Sequence, residues 1–68
     1  MTDTREIRSK MTLLGITQRQ LAEQMKMSVT TLNKRLQNKS PFNLDEVETL
    51  CAILRIHDPA EKGRIFLP

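Results

Sequence analysis

The side chains best suited to chemistry in this chain lie on one face of a predicted helix that begins near Ser28. Leu32 and Leu36 are one helical turn apart, so a helix that buries both directs Lys34 to the opposite side, at about 100° per residue. The residues that flank Lys34 on this outward face are Thr30, Thr31, Arg35 and Asn38. Hydroxyl, amide and cationic groups in this arrangement hydrogen-bond to anions and polar edges. That is the chemistry of binding rather than of covalent catalysis.

The charge of the chain is unevenly distributed. The net charge is +3 over 68 residues. Residues 1–40 hold eight basic and three acidic side chains, a net of +5, whereas residues 41–68 hold three basic and five acidic ones, a net of −2. This division suggests one face for a polyanion and another face for a different contact.

No combination of residues indicates catalysis or a metal site. The single cysteine, Cys51, excludes an intrachain disulfide, and with His57 alone it cannot form a zinc cluster. Cys51 lies on an apolar helix face, so we expect a buried, inert thiol. Glu46 and Glu48 do not share a helix face as an acid–base pair would. We predict no enzyme activity, metal, cofactor or small-molecule ligand.

The sequence shows no sign of a membrane or secretory protein. No apolar run approaches the about 20 residues of a membrane span, and the first ten residues are polar. Because the chain also lacks the paired cysteines of small secreted domains, we expect a reducing, cytosolic setting and no membrane partner.

Five helices are predicted to position the polar face. Thr17 with Gln20 and Asn43 with Glu46 have the spacing of capping boxes, and Ser28 is a further N-cap. Gly15 and Asn38 are predicted to end helices, and Asp58 with Pro59 to begin the last one. The predicted ranges are 3–14, 17–25, 28–37, 43–54 and 58–66. The fourth helix is the most apolar and is expected to be central, through Leu44, Val47, Leu50, Cys51 and Leu54.

The second and third helices are joined by two or three residues, which forces a sharp crossing. Such a crossing is typical of a helix-turn-helix, but it also occurs between two short helices of an ordinary bundle. The spacing by itself leaves both interpretations open.

The residue pattern across this crossing resembles the helix-turn-helix of phage repressors and Cro proteins, the XRE-type family. The resemblance rests on Thr-Gln-Arg-Gln-Leu-Ala at 17–22 and Met-Ser-Val-Thr-Thr-Leu at 27–32. It implies a single all-α, five-helix domain of the lambda-repressor-like type over residues 1–68. The helix-turn-helix would span about 17–37, and helices four and five, about 43–66, would supply core and a possible dimer contact.

Two residues depart from the family pattern. The family usually has glycine in the turn between the two helices, where this chain has Lys26. Either Lys26 adopts the left-handed conformation, which lowers stability by about 1 kcal/mol, or the turn has a different conformation. The family's second core position on helix three falls on Arg35, with Leu36 supplying the apolar contact one residue later. We therefore expect a slight rotation of the recognition helix.

The resemblance also implies which residues contact DNA. The base-reading positions would be Ser28, Val29, Thr30, Asn33 and Lys34. The phosphate-contacting positions would be Lys10, Gln18, Arg19, Arg35, Asn38 and Lys39. Two alternatives stay open: Lys34 could touch phosphate alone, and Val29 could belong to the core.

The resulting functional expectation is a sequence-specific regulator that binds double-stranded DNA, a phage or prophage Cro/repressor-like protein acting as a homodimer. The apolar tail Ile65, Phe66 and Leu67 is the candidate dimer contact, unless it folds back onto the core. The alternatives are an antitoxin-type autoregulator and an anti-repressor bundle that binds protein rather than DNA. An RNA-binding role is disfavoured because aromatic residues for stacking on bases are scarce.

Overall fold

The computed structural model describes residues 1–67 and folds them into five helices. In chain order these are α1 (Thr4–Leu14), α2 (Gln18–Gln24), α3 (Val29–Leu36), α4 (Leu44–Leu54) and α5 (Pro59–Phe66). Helix α1 packs against α4 and α5, and α2 packs against α3. Residues 1–67 contain no strand. The predicted all-α architecture is confirmed, and its helix boundaries agree within one or two residues.

Side chains bonded to nearby backbone groups determine where the helices begin. The Thr17 hydroxyl accepts the Gln20 N–H at 3.1 Å, and the Gln20 amide oxygen accepts the Thr17 N–H at 2.9 Å. Asn43 and Glu46 form the same reciprocal pair at 2.8 and 3.0 Å. The other N-caps are Asp3, Ser28 and Asp58. Each cap satisfies backbone donors that the first helical turn leaves without a partner.

Left-handed residues end several of the helices. Gly15 closes α1 with φ 69°, and Asn38 follows α3 with φ 58°, as predicted. Arg55 closes α4 with φ 60°, although its residue type does not signal this conformation. None of the five helices described over residues 1–67 combines the length and apolarity needed to span a bilayer.

Every helix contributes at least one fully buried aliphatic side chain to a shared core. These residues are Ile7, Leu21, Leu32, Leu50 and Ile65, each 0% exposed. Helix α4 adds Cys51 and Leu54 to the core, in agreement with its apolar sequence. The expectation that Leu44 also lies in the core is wrong, because this residue is 74% exposed.

The apolar tail folds back onto the core. Ile65 is fully buried, and its carbonyl accepts the Asp3 N–H at 2.7 Å. The Phe66 ring is half-buried and meets Phe42 edge to face, with ring centroids 6.3 Å apart. Leu67 is 83% exposed. The prediction that all three tail residues form a dimer contact is therefore wrong for Ile65, since the domain needs this side chain for its own core.

Replacing Ile65 tests this packing. We expect Ile65→Ala to lower the free energy of unfolding by about 2–5 kcal/mol, because it leaves a cavity in the core. The exposed control Leu67→Ala should change it by less than about 0.5 kcal/mol. Urea denaturation measures both changes. If the alanine variant does not fold, Ile65→Val replaces it, with an expected loss of about 0.5–1.5 kcal/mol. Equal effects at positions 65 and 67 would contradict the buried tail.

Candidate nucleic-acid interface

A tight turn fixes α3 against α2. The Met25 N–H donates to the Leu21 carbonyl at 2.9 Å, and the Met27 N–H donates to the Ala22 carbonyl at 3.0 Å. Between them Lys26 adopts φ 57°. The turn therefore keeps the left-handed residue, and a lysine occupies it, at a cost of about 1 kcal/mol relative to glycine. Ala22 is 2% exposed, as expected for a small residue where two helices cross.

The two faces of α3 separate apolar from polar residues. Leu32 and Leu36 are 0% and 2% exposed, whereas Lys34 on the opposite side is exposed. Val29 is 41% exposed, so the alternative that it belongs to the core is wrong. Of the predicted base-reading residues, Ser28, Val29, Thr30 and Lys34 are exposed and Asn33 is half-buried. A mixed polar and apolar surface is thus presented by the first two turns of the helix.

The hydroxyl of Ser28 is engaged at the start of α3. It accepts the Thr31 N–H at 3.0 Å and lies 3.0 Å from the Thr31 hydroxyl. This pair caps the helix and holds the exposed Val29 and Thr30 at its first turn. Thr31 is half-buried and has the local role at the helix start that its position predicts.

Arg35 is held in an intramolecular ion pair. Its Nε and Nη2 donate to the two carboxylate oxygens of Glu46 at 2.9 and 3.1 Å, and its Nη1 donates to the Ser40 hydroxyl at 2.7 Å. The bond from the Arg35 guanidinium lowers the pKa of the Glu46 carboxyl. These three bonds use three of the five N–H donors of the guanidinium, and the phosphate contact expected of Arg35 stays a prediction.

Two further predicted phosphate contacts are also engaged within the molecule. Lys10 Nζ lies 3.3 Å from a carboxylate oxygen of Glu61 in α5. The Asn38 amide donates to the Thr2 carbonyl at 3.0 Å and accepts the Thr2 N–H at 3.2 Å. Lys10 and Asn38 therefore connect parts of the fold, and the phosphate contacts expected of them stay predictions. The remaining candidates are Arg19 and Lys39, which are exposed, and Gln18, which is half-buried.

The ion pairs leave unneutralised cations in one part of the chain. Within residues 1–67, the acidic partners in these pairs are Glu6, Glu46, Glu48 and Glu61. In the same range, six of the eight basic residues before position 41 have no carboxylate within 4 Å: Arg5, Arg8, Arg19, Lys26, Lys34 and Lys39. Sequence reasoning missed Arg5, Arg8 and Lys26 as candidates, although the net charge of residues 1–40 was a signal for them. The arrangement suits a polyanionic ligand along α1–α3.

The single cysteine, Cys51, lies in the core and is not a reactive thiol. Cys51 is 6% exposed, and burial raises its pKa, so the thiol is protonated at neutral pH. The prediction of a buried cysteine is confirmed. Among the described residues 1–67, no group of three or more His, Cys, Asp or Glu side chains is placed to hold a metal ion.

A comparison with known protein families matches a segment that includes α2 and α3. The model of the protein family described as Helix-turn-helix matches residues 7–58, which extend from α1 to the N-cap of α5. No curated protein and no solved structure gives a significant match to the chain.

The strained turn residue makes a testable site. Replacing it as Lys26→Gly should raise the free energy of unfolding by about 0.5–1 kcal/mol, because glycine adopts a positive φ without a Cβ clash. As a control, Ala52→Gly introduces glycine at an exposed helical position and should lower the free energy of unfolding by about 1 kcal/mol. Thermal or urea denaturation distinguishes the two signs. A loss of stability in both variants would contradict a strained left-handed Lys26.

Proposed function

Because the chain belongs to the helix-turn-helix family of DNA-binding regulators, we propose that it binds a specific operator in double-stranded DNA and regulates transcription by occupying it. The observation that carries the proposal is the outward face of α3, on which Thr30 and Lys34 are exposed and Lys34 has no carboxylate within 4 Å in residues 1–67. In this proposal the protein acts as a phage or prophage regulator of the Cro/repressor type. Residues 1–68 form one DNA-binding domain in this proposal.

Helix α3 acts as the recognition helix in the major groove. Lys34 donates to guanine O6 and N7, and Asn33 pairs with an adenine edge. The exposed Val29 contacts a thymine methyl group, and Thr30 beside it supplies a hydroxyl. The capping pair Ser28 and Thr31 fixes the first turn from which these side chains extend.

Three residues outside the centre of α3 contact the phosphate backbone. Arg19 and Lys39 are exposed cations on either side of the recognition helix in the sequence. Gln18 is the first residue of α2 and adds a side-chain amide donor. Such contacts orient the protein on the duplex without reading its sequence.

The active form is a homodimer on two half-sites about 34 Å apart, since one small domain covers only part of an operator. An open groove of about 720 Å³ lies beside the end of α3 and is bordered by the exposed side chains Met1, Leu44 and Leu67. A second copy is the occupant that we propose for it. Met1, Leu44 and Leu67 are exposed apolar side chains in one copy, and a two-fold copy would cover them. The contact replaces the one expected from Ile65, which is buried.

Base reading and phosphate binding are separable by substitution. We expect Lys34→Ala to weaken binding to a selected operator by about 10-fold or more, because a specific base contact is worth about 1–3 kcal/mol. Its effect on random duplex should be smaller. The control Arg19→Ala should weaken binding to both DNAs similarly and reduce the slope of log affinity against log salt by about one.

The operator for this test comes from selection of bound sequences out of a random duplex pool. Recovery of a palindrome with half-site centres about 10 base pairs apart is the expected result. Equal losses on both DNAs for Lys34→Ala would make Lys34 a phosphate contact. The absence of any enriched sequence would contradict operator binding and favour the protein-interaction alternative.

The dimer surface is tested with a charge placed in the groove. Leu44→Glu should weaken self-association by about tenfold or more, because the dimer would bury an unpaired carboxylate. The matched control is Leu13→Glu on α1, where the leucine is 82% exposed and lies outside the groove. Sedimentation equilibrium, with and without the palindromic operator, measures the dissociation constant. Equal behaviour of both variants and the wild type would contradict this dimer surface.

A further inference from the structure

The carboxylate of Glu46 joins the recognition helix to the start of α4. Arg35 lies in the last turn of α3, and Glu46 lies in the first turn of α4. One oxygen of Glu46 accepts both the Arg35 Nε–H at 2.9 Å and the Asn43 N–H at 3.0 Å. The Ser40 hydroxyl, in the connection between the helices, accepts a third bond from the guanidinium. The two helices therefore share one hydrogen-bonded group rather than a single contact.

The position of Arg35 on α3 determines which motion this group restrains. Leu32 and Leu36 are both buried and lie along one line of the helix. Contacts along a single line fix the distance of a helix from the core better than its roll about its own axis. Arg35 is about 100° away from Leu36 around the helix, so its two-pronged bond to Glu46 opposes that roll.

A small roll matters at the DNA-facing surface. Side chains extend about 5–6 Å from the axis of a helix, so a roll of about 10° displaces their tips by about 1 Å. Binding sites depend on placement within about 0.5 Å and 10–20°. Hydrogen bonds from Lys34 to a base edge would be lost over such a displacement, whereas phosphate contacts would tolerate it better.

We propose that the Arg35–Glu46 pair, with Ser40, is a positioning device that sets the roll of the recognition helix and thereby the sequence specificity of DNA binding. Arg35 and Glu46 do not contact DNA in this role. The inference rests on the proposed operator binding, and it makes Arg35 a positioning residue in place of the phosphate contact that was expected from the sequence.

The test measures the ratio of operator affinity to random-duplex affinity in a double-mutant cycle. The variants are Arg35→Gln, Glu46→Gln and their combination. Glutamine at position 46 keeps the acceptor that the capping box needs, so the ion pair is removed without the cap. Changes in overall charge affect both DNAs and cancel in the ratio. The control Lys10→Gln removes a pair of similar exposure, Lys10 with Glu61, which lies between α1 and α5 and does not involve α3.

We expect each single variant to lower the affinity ratio by about 5- to 20-fold, the double variant to lower it no further, and Lys10→Gln to leave it unchanged. Circular dichroism and urea denaturation establish that each variant is folded during the binding measurement. Arg35→Lys, which keeps the charge but loses the fork geometry, replaces Arg35→Gln if the latter does not fold, and should also lower the ratio.

Two results would overturn the proposal. An unchanged ratio in folded Arg35 and Glu46 variants would show that the pair contributes to stability alone, and operator binding would stand. Losses that add in the double variant would show two separate roles rather than one pair. A wild-type protein without any operator preference would instead contradict the proposed function, and this inference with it.

Discussion

The fold depends on one shared apolar core, because no single helix buries enough apolar surface to be stable by itself. The five helices are 7 to 11 residues long. Isolated helices shorter than about 12–15 residues are marginal in water, so their stability comes from packing. Each helix buries at least one aliphatic side chain completely: Ile7, Leu21, Leu32 with Leu36, Leu50 and Ile65, in chain order. Helix α3 contributes Leu32 and Leu36 to this core, and its exposed face is what remains after both are buried.

Charge is organised around this core in a way that suits DNA binding. The carboxylates of α4 and α5 take up cations that would otherwise add to the basic surface, as Glu46 does with Arg35 and Glu61 with Lys10. The cations of residues 1–40 outside these pairs stay available for a polyanion. Ion pairs of intermediate exposure contribute modestly to stability.

Backbone strain in this chain lies at helix ends rather than within helices. Lys26, Asn38 and Arg55 are the non-glycine residues with positive φ in residues 1–67. Asn38 tolerates the left-handed region through its short polar side chain, which also binds the Thr2 backbone. Lys26 has no such compensation, but the turn requires a left-handed residue so that α3 can cross α2 closely at Ala22. The strain at Lys26 is thus associated with the orientation of α3 against α2.

The sequence by itself determined the helices and the inward and outward faces of α3. Caps such as Thr17 with Gln20 and Asn43 with Glu46 join residues three positions apart, and the Leu32–Leu36 spacing is equally local, so both are visible without knowledge of the fold. Family resemblance added the helix-turn-helix. The tertiary structure alone decided the partners of Arg35, Asn38 and Lys10, the burial of Ile65 and the exposure of Leu44. The pairs Arg35–Glu46, Asn38–Thr2 and Lys10–Glu61 join residues 11, 36 and 51 positions apart. Such contacts, like the burial of a side chain, depend on how whole helices pack against one another rather than on any local pattern.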